Sequence, residues 1–192
     1  HFIISLAIYH SWVLRLNRGA PPLVLSNPCY WIIQSDGFRG YILNQGIPND
    51  KILFYPNPTE DFYKPLQEVK EYKEFFQKEN FNIIFAGNIG EAQSFVTIIE
   101  AINNIKELPI KVIVLGDGRY KETAIGLIKD KGLESHFNFL GSFPATEMPK
   151  FFSHADALLV SLKKDKIFSL TIPAKIQSYL ACGKPIIASI DG

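Results

Sequence analysis

Cysteine is scarce in this chain: Cys29 and Cys182 are the only two among 192 residues. They stand far apart, with no second cysteine or histidine at ligand spacing. Neither a disulfide framework nor a zinc site is expected, and a reducing, cytosolic setting fits better. The histidines His1, His10, His136 and His154 are scattered, and each is expected to be a surface or partly packed imidazole without a chemical role. An excess of one charge is also missing. Lys and Arg total 20 against 19 Asp and Glu, a formal net charge of +1. A global attraction to nucleic acid or to a strongly acidic partner is therefore excluded, and anion binding is left to local patches. No apolar run reaches the ~18 to 20 residues of a membrane span. The leading "HFIISLAIYHSWVLRL" is interrupted by His10 and Ser11 and closed by Arg15, and it has neither the basic leader nor the cleavage pattern of a signal peptide. A buried helix or strand-helix is expected there. The chain starts without Met and stops at "SIDG" directly after a strand, so both ends read as cut and a fragment of a longer protein is expected.

Apolar material is plentiful, 47% of residues, enough for one sizeable core or parts of two domains. "YWIIQSDGFRGYILNQGIPNDKILFYPNP" reads as strand, helix from about Phe38 to Asn44, a stop at Gly46, and a strand from Lys51 to Tyr55. Prolines then crowd "YPNPTEDFYKPLQEV", a linker or domain crossing ahead of a charged helix, "QEVKEYKEFFQKEN". The expected division is 1–56 as the end of one domain, 57–80 as linker and connecting helix, and 81–192 as an incomplete second domain. From Phe81 strands rich in β-branched residues alternate with helices: "FNIIFAG", "SFVTIIEAINNI", "IKVIVLGDG", "RYKETAIGLIKDKG", "FNFLG", "TEMPKFFSHA", "DALLVSL", "PAKIQSYLACG", "KPIIAS". The alternation predicts an α/β fold with right-handed crossovers and a parallel sheet covered on both faces.

In such sheets ligands gather at the carboxyl ends of the strands. Four ends stand out. "FAGNIGEAQSF" places Gly87 and Gly90 between strand and helix, where exposed N–H groups and a helix dipole suit a phosphate, or where the turn is purely structural. "VLGDGRY" sets Gly116 and Gly118 around Asp117, which reads as a cap or turn former rather than a catalytic acid. "FLGSFPATEM" offers Phe143 as a flat surface for a nucleobase or as core, with Thr146 as a helix cap. In "FSLTIPAKIQSY", Thr171 or Ile172 is expected at the N-cap and Pro173 in the first turn. Lys175 in that turn opposes the helix dipole, so two readings stand: a solvated lysine, or an ammonium sharing a bound anion with backbone N–H groups.

With those residues in view, the sequence resembles glycosyltransferase family 4, the group 1 transferases of GT-B architecture, and within it the O-antigen and colanic-acid type. "FAGNIGEAQSFVTIIEA", "VIVLGDG", "HADALLVSL" and "IPAKIQSYLACGKPIIAS" carry the likeness, which covers about Trp31 to Gly192. The resemblance implies mostly the C-terminal Rossmann-like domain plus the end of the N-terminal domain. It implies a retaining transferase that moves a sugar from a nucleotide-diphosphate donor to a sugar or lipid-linked sugar acceptor in bacterial surface polysaccharide biosynthesis. No metal, no cofactor and no nucleic acid are implied. The setting is cytoplasmic, with peripheral association at the inner membrane face through the N-terminal domain. By position, Gly87, Asn88 and Gly90 face the donor diphosphate, with Gln93 near a relative's phosphate-binding lysine and with Thr171 and Ile172 approaching phosphates and sugar. Gly116 and Gly118 border the nucleotide cleft, Ser142 and Phe143 flank the base, and Lys175 stabilises the leaving diphosphate. Many relatives have two glutamates eight positions apart; aligned on "ACG", they fall at Leu170 and Ser178, so both carboxylates are missing and Ser178 is left to meet the ribose with a single hydrogen bond. The alternative is a nucleotide-sugar-binding module, impaired or truncated. A Rossmann oxidoreductase is disfavoured because G-x-G-x-x-G with a following acid is absent.

Overall fold

The computed structural model describes residues 30–191. The readings of 1–16, of Cys29 and of His1 and His10 lie outside the described residues. The chain divides between Asn57 and Pro58 into two compact units.

In the first unit β1 (Trp31–Ile33) and β2 (Ile52–Phe54) pair in parallel, with α1 (Arg39–Leu43) between them. Ser35 starts the crossover by accepting the Gly37 N–H at 3.3 Å. Arg39 ties it together, reaching Asp36 at 2.7 Å and Asn49 at 2.9 Å. Phe38 and Asn44 are the caps of α1, so the helix occupies the span expected for it.

The second unit runs β3 (Phe81–Ala86), α2 (Phe95–Asn104), β4 (Ile110–Leu115), α3 (Lys121–Asp130), β5 (Phe137–Gly141), α4 (Met148–Ser153), β6 (Ala157–Ser161), α5 (Ala174–Ala181) and β7 (Ile186–Ser189). The strands form one parallel sheet in the order β5-β4-β3-β6-β7. Side chains alternate across β3. Ile83 and Phe85 join the core under α2 and α3, while Ile84 joins the opposite core under α4 and α5. The inward stripe of α2 is Phe95, Ile98, Ile99 and Ile102, the i, i+3, i+4, i+7 spacing of a one-faced helix. The sheet is thus covered on both faces, and its strand order reverses between β3 and β6, the topological switch point where open sheets take ligands. Among the described residues no helix is long and apolar enough to cross a membrane.

Three local expectations are corrected. The charged helix expected over 67–80 is absent; the segment turns, with one 3-10 turn at Lys73–Phe75. Tyr72 adopts a left-handed conformation, φ 65°, and its ring stacks on Phe151 while Phe76 stacks on His154. Tertiary packing on α4 overrides the good helix propensity of a segment rich in Glu, Lys and Gln. Thr146 does not cap α4: it lies inside a 3-10 turn, Ala145–Glu147, and Glu147 holds the cap position. The N-cap of α5 is Pro173, extended and without a side-chain cap. Thr171 instead donates its hydroxyl to the Ile167 carbonyl at 2.9 Å.

Candidate functional site

The β3–β6 pairing is short: only Ile83 with Ala157 and Ile84 with Leu158 are in register. Toward their carboxyl ends the two strands part, and α5 fills the opening with two side chains one turn apart. Tyr179, 1% exposed, accepts the Ala86 N–H at 3.1 Å through its hydroxyl. Burial pushes that phenol well above its ordinary value, so it stays protonated. Lys175, four residues earlier and on the same helix face, sends its ammonium to 4.1 Å from the centre of the Phe85 ring. A Cβ placed on Gly87 would lie 3.1 Å from this nitrogen. Lys175 Nζ is buried and has no hydrogen-bond partner, and burial lowers its pKa from 10.5 to about 8. The solvated-lysine reading is thereby removed. Replacing Tyr179 with phenylalanine orphans the Ala86 N–H beside Gly87; an expected loss of roughly 1 to 3 kcal/mol follows, readable from the urea unfolding midpoint.

Two glycine turns face each other beyond β3 and β4, and they bond mainly to one another. The Gly87 N–H donates to the Leu115 carbonyl at 2.8 Å, the Ile89 N–H to the Asp117 carbonyl at 2.8 Å, and the Tyr120 N–H returns to the Ile89 carbonyl at 3.0 Å. The Gly90 N–H is taken by the Gln93 side-chain oxygen at 3.1 Å. A row of free backbone donors for a phosphate is therefore not what the Gly87–Gly90 turn provides. Among the described residues Asn88 is the member of that turn whose N–H takes no acceptor. Gly118 is small for a related reason, since a Cβ there would sit 2.3 Å from the Ile89 carbonyl oxygen.

A cleft of about 260 Å³ opens at these turns. It gathers Gly87, Asn88, Gly116, Ser142 and Phe143 of the expected set. Leu115, Asp117 and Met148 line it as well; the first and last are apolar strand and helix ends that lie within the sequence motifs without a role assigned there. Asp117 is the turn former anticipated: its carboxylate accepts the Gly118 N–H at 2.7 Å and lies 3.7 Å from Lys121 Nζ. Gly90, Gln93, Gly118, Thr171, Ile172, Lys175 and Ser178 are not among the lining residues. Lys175 nonetheless adjoins the cleft through Gly87. Ser178 is turned to the 58–80 segment, its hydroxyl 3.1 Å from that of Thr59. Tyr179 was missed by the sequence reading, although its i+4 spacing from Lys175 was the available signal.

Comparison with known proteins gives a consistent set of relatives. The family model for glycosyl transferases group 1 matches residues 67–192. The Escherichia coli (strain K12) protein named "Putative colanic acid biosynthesis glycosyl transferase WcaI" is 24% identical over 154 residues, covering 73% of this chain and 35% of its own length. Among solved structures, Anabaena HepE in complex with UDP and glucose superposes with a TM-score of 0.70 at 19% identity, over 85% of this chain and 45% of HepE. A glycosyltransferase from Rickettsia africae gives 0.71 at 16% identity, over 86% of this chain and 45% of that one. These likenesses establish the fold, an α/β arrangement of the GT-B class. The chain spans about a third of the length of the curated relatives it matches.

Proposed function

The chain belongs to the glycosyl transferases group 1 family, whose model covers residues 67–192, and from that premise we propose that it is the donor-side part of a retaining glycosyltransferase. Its donor would be a nucleotide-diphosphate sugar and its acceptor a sugar or lipid-linked sugar, in bacterial surface polysaccharide biosynthesis at the cytoplasmic face of a membrane. The observation that carries this reading is the buried, unpartnered Lys175 ammonium beside Gly87, at the edge of a cleft walled by Phe143. The relatives' names support the donor class and the biosynthetic setting.

On this reading Ser142 and Phe143 receive the base, and Asn88 with the cleft floor at Gly87 and Gly116 receives the diphosphate. Lys175 supplies the positive charge. As the bond from the sugar's anomeric carbon to the diphosphate breaks, negative charge grows on the leaving oxygens. A preorganised ammonium buried among protein atoms, with no side-chain partner to release first, favours that state over the bound donor. Asp117, the carboxylate at the cleft, is committed to the Gly118 N–H and lies near Lys121. Acceptor activation is therefore assigned to residues outside 30–191 or to the departing phosphate. Ser178 favours the second reading, a binding module, because its hydroxyl is turned to Thr59 and, among the described residues, no glutamate lines the cleft.

Calorimetric titration of the whole protein with UDP-, GDP- and dTDP-sugars separates the cases. Saturable binding to at least one donor, with sugar release and a product whose anomeric configuration by NMR matches the donor's, is the expected result. Binding without release would leave the module, and binding to none of the nucleotides would end the transferase reading.

A further inference from the structure

The cleft wall that carries Phe143 is braced from behind by the segment preceding β3. The Tyr72 ring stacks on Phe151 with centroids 3.9 Å apart and planes 13° from parallel. It meets Phe143 edge-on at 5.7 Å, and Phe143 meets Phe151 edge-on at 4.7 Å. The three rings close a triangle of which one vertex, Phe143, lines the cleft. At its other end Tyr72 donates its hydroxyl to Glu147 Oε2 at 2.8 Å, and Lys150 Nζ holds the same oxygen at 3.0 Å. The backbone of Tyr72 is left-handed, φ 65°, a conformation that a bulky residue keeps only where its surroundings over-determine it.

We propose that Tyr72 is a positioning residue that fixes the ring plane of Phe143 for stacking on a nucleobase, an inference that rests on the nucleotide reading of the cleft. Stacking needs a ring held at one tilt, and a lone phenylalanine on an exposed loop rotates about χ1 and χ2. Here Phe151, anchored in the core at 0% exposure, and Tyr72, anchored at both ring and hydroxyl, leave Phe143 one orientation. The hydrogen bond to Glu147 also holds the Tyr72 phenol above its ordinary value, so the anchor remains a donor across the physiological range.

The test is calorimetry on the whole protein with UDP, GDP, dTDP and inorganic pyrophosphate. In Tyr72→Ala the tightest nucleotide is expected to bind about ten-fold more weakly, the worth of an aromatic pair. Preference among the three bases should flatten, and pyrophosphate affinity should stay as in the parent. Tyr72→Phe, which keeps the ring and gives up only the hydrogen bond to the Glu147 carboxylate, should return nucleotide affinity to within about three-fold. An unchanged nucleotide affinity in folded Tyr72→Ala, or an equal loss for every ligand, overturns the proposal. Should Tyr72→Ala not fold, Glu147→Ala decides: it leaves all three rings and removes the carboxylate that holds the Tyr72 hydroxyl and Lys150 Nζ. A nucleotide loss of about three-fold with pyrophosphate affinity as in the parent then supports the role, and none, or an equal loss for every ligand, removes it. A parent that binds no nucleoside diphosphate strikes the nucleotide reading itself, a different outcome from a parent that binds and a variant that binds equally well.

Discussion

Methionine in place of Lys175 is expected to stabilise the fold and to cripple anion binding. The two effects share one cause. In the protein the Lys175 amine has a pKa of about 8, against an ordinary 10.5, because burial over Phe85 penalises the charged form. Below pH 8 the folded chain holds a proton it would hold more comfortably when unfolded. Between about pH 8 and 10.5 the unfolded chain binds more protons than the folded one, so stability rises with pH across that window, by roughly 3 kcal/mol in total. The penalty is fully present at pH 7. Methionine keeps the apolar stem and removes the charge, so urea unfolding at pH 7 should show a more stable variant, and the parent should close the gap near pH 10.

The same substitution removes a charge-assisted contact to a bound diphosphate, an expected loss of about 10- to 100-fold in nucleotide affinity. Bound phosphate gives the ammonium its missing partner and raises its pKa in the complex. Parent affinity should therefore hold below pH 8 and fall as pH rises above it, by up to about ten-fold per pH unit, whereas the methionine variant should show no such slope. A variant that is less stable than the parent would mean that the ammonium already has a partner, and one of equal affinity would take Lys175 out of the diphosphate site.

Much of this architecture was legible because its signals are local. Six-residue runs such as "FNIIFA" and "IKVIVL" can hardly be anything but buried strands, and they are β3 and β4 in register from Phe81 with Ile110 to Ala86 with Leu115. Phe143 stands out in the sequence because a strand end and a proline bracket it, Ser142 through the family resemblance, and both line the cleft. What escaped depends on where a side chain lands. The charges and aromatics of 67–80 have helical spacing, yet the left-handed Tyr72 interrupts any helix there while Tyr72, Phe75 and Phe76 pack onto the core under α4. Lys175 was placed at the helix start, but its burial is a property of Phe85 and Gly87, ninety residues away in sequence. The turn at Gly87 reads in the sequence either as exposed donors for a phosphate or as purely structural, because the sequence cannot show that the Leu115 and Asp117 carbonyls already occupy the Gly87 and Ile89 N–H groups.

That interlock is the basis of the other large effect: Gly116→Ala is expected to unfold the second unit or come close to it. Gly116 has φ +141°, a region L-residues enter at a cost of about 1 to 3 kcal/mol. A methyl there would also stand 1.9 Å from the Gly87 carbonyl oxygen, well inside contact distance. Neither turn can give way. The Gly116 N–H is bound to the Gly141 carbonyl at 2.7 Å and the Gly87 N–H to the Leu115 carbonyl at 2.8 Å, so relief at one place breaks β3, β4 or β5 at another. Strain and overpacking together put the loss above about 3 kcal/mol. Gly126, exposed in α3 with nothing within 4 Å of its Cβ position, is the control, and Gly126→Ala should raise stability by about 0.5 to 1 kcal/mol. Urea denaturation of the two variants reads both at once. A folded Gly116→Ala within about 1 kcal/mol of the parent would show that the turns are free to part, and the backbone donors of Gly87 and Ile89 would return as candidates for the diphosphate. Loss of folding would instead confine these glycines to building the cleft, leaving recognition to Lys175, Asn88 and Phe143.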